Sequence, residues 1–355
     1  MFYPLKIKNI RRETADCVSL AFEIPAEWQT IFQYQSGQYL TLKTMIAGEE
    51  VRRSYSLCSS PSDGEWRVAV KQVEDGAFST LANRHLKPGD TLEVMPPMGH
   101  FTLPKRDSDA AIPQKHYVFF AAGSGITPII SLLKTILETE PQSTCVLVYG
   151  NRNGASVIFR EAIEGLKNRH LQRLQLFHIL SRERVDNDLG FGRLDPEKVR
   201  LFFDKIPDIQ RGDEFFMCGP FDVIEAVREA LKLRDVPTQK IHFELFNAPK
   251  KKDTGSVKPT DTYKKSIASI RLDGLTFEVS IPEGMSILDA AQAAGADLPF
   301  ACKGGVCCTC RAKLTEGEVE METNFALSEE ETDGGYILTC QSIPKTERLV
   351  LNFDL

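Results

Sequence analysis

Four cysteines near the C-terminus constrain this chain more than any other feature. Four residues separate Cys302 from Cys307, two separate Cys307 from Cys310, and Cys340 follows after a long gap. This C-x4-C-x2-C…C spacing suits a binuclear [2Fe–2S] cluster of the plant type. Two irons need four thiolates, so three come from one loop wrapped around the metal and the fourth from a distant strand. Lys303, Gly304, Gly305 and Val306 fill the loop. Its two glycines are expected to let the backbone turn tightly and bring N–H groups to the sulfurs. A structural zinc site usually pairs one Cys-x-x-Cys with a second, which Cys302 and Cys340 do not supply. A disulfide framework belongs to secreted proteins, and nothing else in the sequence points there. Cys308 breaks the pattern if used and reads as a bystander.

At 355 residues the chain should hold two or three domains, each with its own core. A hydrophobic fraction of 42% beside 26% charged residues is ordinary for a globular protein. The net charge of -6, with no basic stripe against it, argues against nucleic acid as a partner. The N-terminal Met1-Phe2-Tyr3-Pro4-Leu5-Lys6 carries no apolar signal-peptide core. No run approaches the ~18 apolar residues of a membrane span, so no membrane partner is expected. Nine cysteines, four of them committed to a cluster, fit a reducing cytoplasm. Cys17, Cys58 and Cys145 lie in apolar or strand-like surroundings and read as small core residues.

The rhythm of the chain changes twice. Residues 1–108 read as short strands (Cys17–Ile24, Tyr39–Lys43, Trp66–Val73, Thr91–Met95) between glycine turns, the pattern of a small antiparallel β-barrel. Residues 109–248 alternate apolar strands (His116–Ala122, Thr144–Tyr149, Gln175–Leu180, Glu214–Cys218) with helical stretches, which argues for a parallel α/β sheet. Residues 249–265 are polar and charged without apolar periodicity and read as a linker. Residues 266–355 open with a hairpin around Asp273-Gly274, followed by a helix capped by Ser286 with Asp289 three residues on.

Arg53-Ser54-Tyr55-Ser56, followed by a Gly-x-Gly-x-Thr-Pro loop, resembles the ferredoxin–NADP reductase superfamily. The resemblance implies a flavin on the barrel, with Arg53 on its pyrophosphate, Tyr55 on the isoalloxazine face and Ser56 near N5, where hydride arrives. It likens Gly76-Ala77-Phe78-Ser79 to the turn that meets the flavin phosphates, and Val70 and Lys71 to the strand along the flavin. The flavin it implies is FAD. The barrel sequence itself excludes neither FAD nor FMN.

Gly123-Ser124-Gly125-Ile126-Thr127-Pro128 follows a strand and opens a helix, where a pyrophosphate can use free N–H groups and the helix dipole. The third glycine of the ordinary dinucleotide fingerprint is missing, but the superfamily's version matches in full. By the same resemblance, Cys218-Gly219-Pro220 lies beside the nicotinamide with its thiol near the hydride path, and Phe246 covers the flavin until nicotinamide displaces it. Ser181 and Arg182, helped by Arg152, resemble the grip on a 2′-phosphate, which favours NADPH over NADH.

The order barrel, nucleotide domain and C-terminal β-grasp ferredoxin domain resembles reductase components of multicomponent oxygenases. That resemblance implies a circuit from NADPH through FAD and the cluster to the oxygenase component of a di-iron monooxygenase. The alternatives are another oxygenase or hydroxylase, or an electron carrier with no dedicated oxygenase. Glu316, Glu318, Glu320, Glu322 and Glu329–Glu331 give the cluster domain an acidic side, a solvated face or a steering charge.

Overall fold

The structure is a computed structural model that describes residues 1–104, 112, 114–185, 187–246 and 265–355. It divides into two compact units, one spanning Phe2–Phe246 and one formed by the C-terminal part of the chain. The expected linker, apart from Lys265, lies outside the described residues.

The first unit begins with six antiparallel strands: β1 (Tyr3–Thr14), β2 (Cys17–Glu23), β3 (Tyr39–Ile46), β4 (Glu49–Ser56), β5 (Trp66–Lys71) and β6 (Thr91–Val94). Their order is β4-β3-β6-β1-β2-β5. A bridge from Leu57 to Val68 joins the two ends of that order and closes the barrel. Leu5 and Ile7 are buried between exposed Lys6 and Lys8, the two-residue alternation of a half-buried strand. Helix α1 (Ala77–Arg84) buries Phe78 and Ala82 in the barrel core with Leu20, Leu40 and Val70.

The chain then builds five parallel strands, β7 (His116–Ala122), β8 (Thr144–Asn151), β9 (Leu174–Leu180), β10 (Glu214–Gly219) and β11 (Ile241–Leu245), in the order β11-β10-β7-β8-β9. Helices α2 (Ile126–Thr139), α3 (Arg160–Arg169), α4 (Pro196–Lys205), α5 (Pro207–Gln210) and α6 (Phe221–Lys232) connect them. Because β7 neighbours both β8 and β10, the strand order reverses there. The crevice beyond the carboxyl ends of β7 and β10 is where such sheets bind ligands.

Barrel and parallel sheet share one apolar core. Cys17, Cys58, Ala69 and Phe101 pack in a single cluster with Ile129, Leu132, Leu133 and Phe216. Fully burying each large apolar side chain contributes about 1.5–3 kcal/mol. Polar ties flank this contact: Ser131 Oγ donates to the Ser59 carbonyl at 2.6 Å, and Lys134 pairs with Asp63 at 2.8 Å. Cys17, Cys58 and Cys145 are all buried, the core role read from the sequence.

In the second unit, β12 (Ser266–Leu272) and β13 (Leu275–Ile281) form the expected hairpin, with Asp273 and Gly274 both at positive φ, as a type I′ turn demands. Helix α7 (Ile287–Ala293) follows, and Ser286 Oγ accepts from the Asp289 N–H at 3.1 Å. The rest comprises β14 (Arg311–Glu316), β15 (Val319–Met321), α8 (Glu329–Asp333), β16 (Tyr336–Leu338), β17 (Ser342–Pro344) and β18 (Arg348–Asn352). The five-stranded sheet runs β13-β12-β18-β14-β16 with β12 and β18 parallel, and packs on α7 as a β-grasp.

Candidate flavin, nicotinamide and iron–sulfur sites

Alternation along β4 puts Arg53 and Tyr55 on one face and Ser54 and Ser56 on the other. Arg53 is exposed, and Tyr55 is half-buried with its ring 5.5 Å from Phe78. A guanidinium beside an aromatic face suits a pyrophosphate joined to a flat ring system. Ser54 Oγ meets Thr41 Oγ at 3.1 Å.

Gly76 opens α1, and no side chain caps that helix, so its first-turn N–H groups stay available to phosphate oxygens. A Cβ on Gly76 would lie 2.4 Å from both Ser79 Oγ and Val73 Cγ2. The Ser79 hydroxyl is turned into the loop, accepting from the Val73 N–H and donating to the Gly76 carbonyl. These two bonds brace the turn. The Val70 carbonyl accepts from Asn83 at 3.0 Å, and the Lys71 ammonium lies 3.7 Å from Asp16.

Gly123–Gly125 forms a tight turn between β7 and α2, and α2 also lacks a side-chain cap. Gly123 has φ 56° and accepts from the Tyr149 hydroxyl at 2.9 Å. Thr127 donates to the Ser124 carbonyl, and Pro128 is buried in the first turn. A Cβ on Gly125 would lie 2.0 Å from the Cys218 carbonyl oxygen, so the nucleotide loop and the Cys218-Gly219-Pro220 turn touch backbone to backbone.

At this junction Ser56 Oγ donates to Glu244 Oε2 at 2.9 Å. Glu244 pairs in register with Cys218 across β10 and β11. Burial raises the Glu244 carboxyl to about 7, against the lowering effect of the Ser56 hydrogen bond. Burial, reinforced by the nearby Glu244 charge, also pushes the Cys218 thiol well up. Ser56 of the barrel and Cys218 of the parallel sheet thus converge through Glu244, to which the sequence motifs give no role. Phe246 packs partly buried against the shared core.

Arg152 and Arg182 are exposed at the carboxyl ends of β8 and β9, held side by side by an Arg182 N–H bond to the Arg152 carbonyl at 2.7 Å. Ser181 is half-buried, its N–H bonded to the Asn151 carbonyl.

In the C-terminal unit the four thiols come as two pairs. Cys307 Sγ lies 3.1 Å from Cys302 Sγ, and Cys310 hydrogen-bonds Cys340. Among the described residues no three His, Cys, Asp or Glu side chains are grouped as a single metal ion requires. Two pairs of thiols fit two irons, one pair each. The loop turns at Lys303 (φ 51°) and Gly305 (φ 72°) rather than at both glycines. Gly304 instead donates its N–H to Cys302 Sγ at 3.3 Å. The Cys307 hydrogen bond first, then the N–H groups of Gly304, Val306 and Cys307, lower the Cys302 thiol to about 5. A cage of N–H donors around sulfur is what a thiolate-bound cluster needs. Cys308 is buried beside these ligands.

Family models match this layout domain by domain: an oxidoreductase FAD-binding domain over residues 4–103, an oxidoreductase NAD-binding domain over 119–229, and a 2Fe-2S iron-sulfur cluster binding domain over 270–345. The chain is 43% identical to a subunit of the 1,2-phenylacetyl-CoA epoxidase of Escherichia coli (strain K12), covering 99% of this chain and 98% of that protein. It is 36% identical to the ferredoxin reductase component of 3-ketosteroid-9-alpha-monooxygenase from Rhodococcus rhodochrous, over 98% and 96% of the two chains. The chain belongs to this family of oxygenase reductase components. It is an oxidoreductase with FAD-binding, NAD-binding and 2Fe-2S domains. Within the superfamily the motifs point most narrowly to the reductase component of phenylacetyl-CoA 1,2-epoxidase, a resemblance the full-length identity bears out. The fold agrees with phthalate dioxygenase reductase (TM-score 0.59, 23% identity, 99% and 98% coverage). It also agrees with an intact type IV self-sufficient cytochrome P450 monooxygenase (TM-score 0.71, 24% identity), of which it covers 41%. None of the helices described is long and apolar enough to cross a membrane.

Proposed function

We propose that this family member takes electrons from NADPH and delivers them through FAD and a [2Fe–2S] cluster to the oxygenase component of a di-iron monooxygenase, the epoxidase acting on phenylacetyl-CoA. The observation that carries the reading is the convergence of Ser56, Glu244 and Cys218 where the barrel meets the carboxyl ends of β7 and β10. When bound, the flavin accepts hydride from nicotinamide and the cluster relays electrons singly.

The chain's own groups prepare that transfer. Arg53, Tyr55, the Gly76 turn and Phe78 hold the flavin; the Gly123–Pro128 loop and Gly219-Pro220 hold the nucleotide. Ser56 supplies a hydroxyl at the junction. Burial keeps Cys218 a neutral thiol and lets Glu244 hold a proton near neutrality, so neither sets a full negative charge against arriving hydride. Arg152, Ser181 and Arg182 present charge and a hydroxyl suited to a 2′-phosphate, which supports NADPH. Cys302, Cys307, Cys310 and Cys340 hold the cluster. We assign these parts to residues 1–108, 109–248 and 266–355, joined through 249–265. We place the protein in the cytoplasm, where four cysteines committed to a cluster and the remaining buried ones stay reduced.

The test is anaerobic titration with NADPH and, separately, NADH, followed by visible absorbance and low-temperature EPR. Flavin bleaching with a rhombic [2Fe–2S] signal, faster with NADPH, is expected. Bleaching without that signal refutes the assignment of the four cysteines, and a preference for NADH refutes that of Arg182.

A further inference from the structure

The side chain of Gln341 sits directly behind the last thiol of the cluster site and has no part in the hydride transfer. It is only 8% exposed. Its amide nitrogen lies 2.9 Å from the Lys303 carbonyl, 3.1 Å from the Cys340 carbonyl and 3.6 Å from Cys340 Sγ. All three partners are acceptors, so their chemistry fixes which end of the amide faces them. Two N–H bonds serve three acceptors: one reaches Lys303, and the other is shared between the carbonyl and sulfur of Cys340. Gln341 therefore ties the loop carrying three thiols to the distant segment carrying the fourth.

The stem of the side chain has a second contact. A Cβ on Gly305 would come within 3.1 Å of Gln341 Cγ, so the stem packs against the turn of the loop. The backbone of Gln341 is held separately, its N–H on the Leu338 carbonyl and its carbonyl accepting from Glu322, both at 2.9 Å. Replacing the amide thus leaves the turn's own backbone bonds in place.

We propose that Gln341 is a positioning residue for electron transfer, setting the reduction potential of the cluster through its N–H on Cys340 sulfur while it clasps the ligand loop shut. The proposal rests on the reading of the four cysteines as cluster ligands. An added electron makes thiolate sulfur a better acceptor, so an N–H donor there favours the reduced cluster. Removing the donor shifts the potential negative. The clasp acts independently of charge, by holding the ligand loop at Lys303 against the segment that carries Cys340.

The experiment is a spectroelectrochemical titration of the full-length holoprotein and its Gln341→Leu variant, with EPR, beside the rate of cluster loss to EDTA. The wild type comes first: no [2Fe–2S] signal in it refutes the cysteine assignment itself. With that signal present, Gln341→Leu is expected to lower the reduced-to-oxidised ratio at fixed potential about threefold, and to speed cluster loss. At ~59 mV per tenfold for a one-electron couple, that is a shift of about -30 mV. Flavin reduction by NADPH should be unchanged. An unmoved potential overturns the proposal, even where cluster loss speeds up, because the residue is then only a structural clasp. Should Gln341→Leu fail to hold a cluster, Gln341→Met keeps the unbranched stem and should hold one at the same lowered potential. Failure of both also overturns the proposal.

Discussion

Replacing Gly125 by alanine tests whether backbone contact between the two nucleotide-binding turns sets the hydride geometry. The new Cβ would lie 2.0 Å from the Cys218 carbonyl oxygen, 2.4 Å from its carbon and 2.8 Å from the Gly219 nitrogen. All three are backbone atoms, so no side chain can swing aside. Ordinary contact lies beyond ~3 Å, so the Gly123–Pro128 loop and the Cys218-Gly219-Pro220 turn must part by about 1 Å. Overpacking of this kind costs about 1–3 kcal/mol of stability. A misplacement of ~1 Å between reacting groups costs on the order of 100-fold in rate. Anaerobic stopped-flow bleaching of the flavin at saturating NADPH measures it directly. Flavin content and reduction by dithionite should match the wild type. Gly64→Ala, which meets no atom within 4 Å but forces alanine to φ 59°, serves as a control for destabilisation alone. Wild-type hydride transfer in a folded Gly125→Ala variant would refute the reasoning.

Other consequences are as direct. The Glu244 carboxyl titrates near 4.5 when unfolded and at about 7 when folded, so the folded chain binds the extra proton between those values. Its contribution is fully present below pH ~4.5 and is lost as pH rises through about 7. The wild-type melting temperature relative to Glu244→Gln should therefore fall across that window, and a flat difference would contradict the raised carboxyl. Arg182→Ala should raise KM for NADPH by about 10–100-fold while changing that for NADH by far less, as loss of a charge-assisted phosphate contact requires. Cys340→Ala should abolish the EPR signal yet leave flavin reduction intact. Ser131→Ala removes a buried 2.6 Å bond to the Ser59 carbonyl, and calorimetry should show a loss of about 1–3 kcal/mol.

What the sequence made legible was chemistry held in short contiguous motifs. The Cys302–Cys310 loop, the Arg53–Ser56 strand and the Gly123–Pro128 turn each occupy a few adjacent residues. What it hid were contacts between distant segments. Glu244 gains its role only because β11 lies beside β10 and because Ser56 of the barrel reaches it across 188 residues. Gln341 looks like any polar residue after a cysteine until the loop carrying Lys303 folds over it. Strand β1 is hard to read from the sequence, since Lys6, Lys8, Arg11 and Arg12 mask the alternation of Leu5 and Ile7. Even inside a motif, the division of labour was partly concealed: Gly304 gives its N–H to sulfur while Lys303 makes the positive-φ turn.

The nine cysteines show how one side chain is put to opposite uses by its surroundings, and this too is testable. Burial raises Cys17 to about 12 and pushes Cys58, Cys145 and Cys218 up as well, so all four remain thiols at neutral pH. Cys302 is pulled the other way, because the Cys307 hydrogen bond and three backbone N–H groups stabilise its thiolate. It is also the one cysteine of the nine that is not buried. Nucleophilic attack requires both thiolate and access. Brief treatment with iodoacetamide should therefore leave the holoprotein nearly unmodified, since the proposed cluster would cover Cys302. The same treatment after chelation should alkylate Cys302 first, while Cys17, Cys58, Cys145 and Cys218 stay unmodified as long as the chain remains folded. Peptide mass spectrometry reads the order of labelling. Early labelling of Cys218 would show that its thiol is neither buried nor neutral, and would remove the argument that the hydride junction is kept free of negative charge.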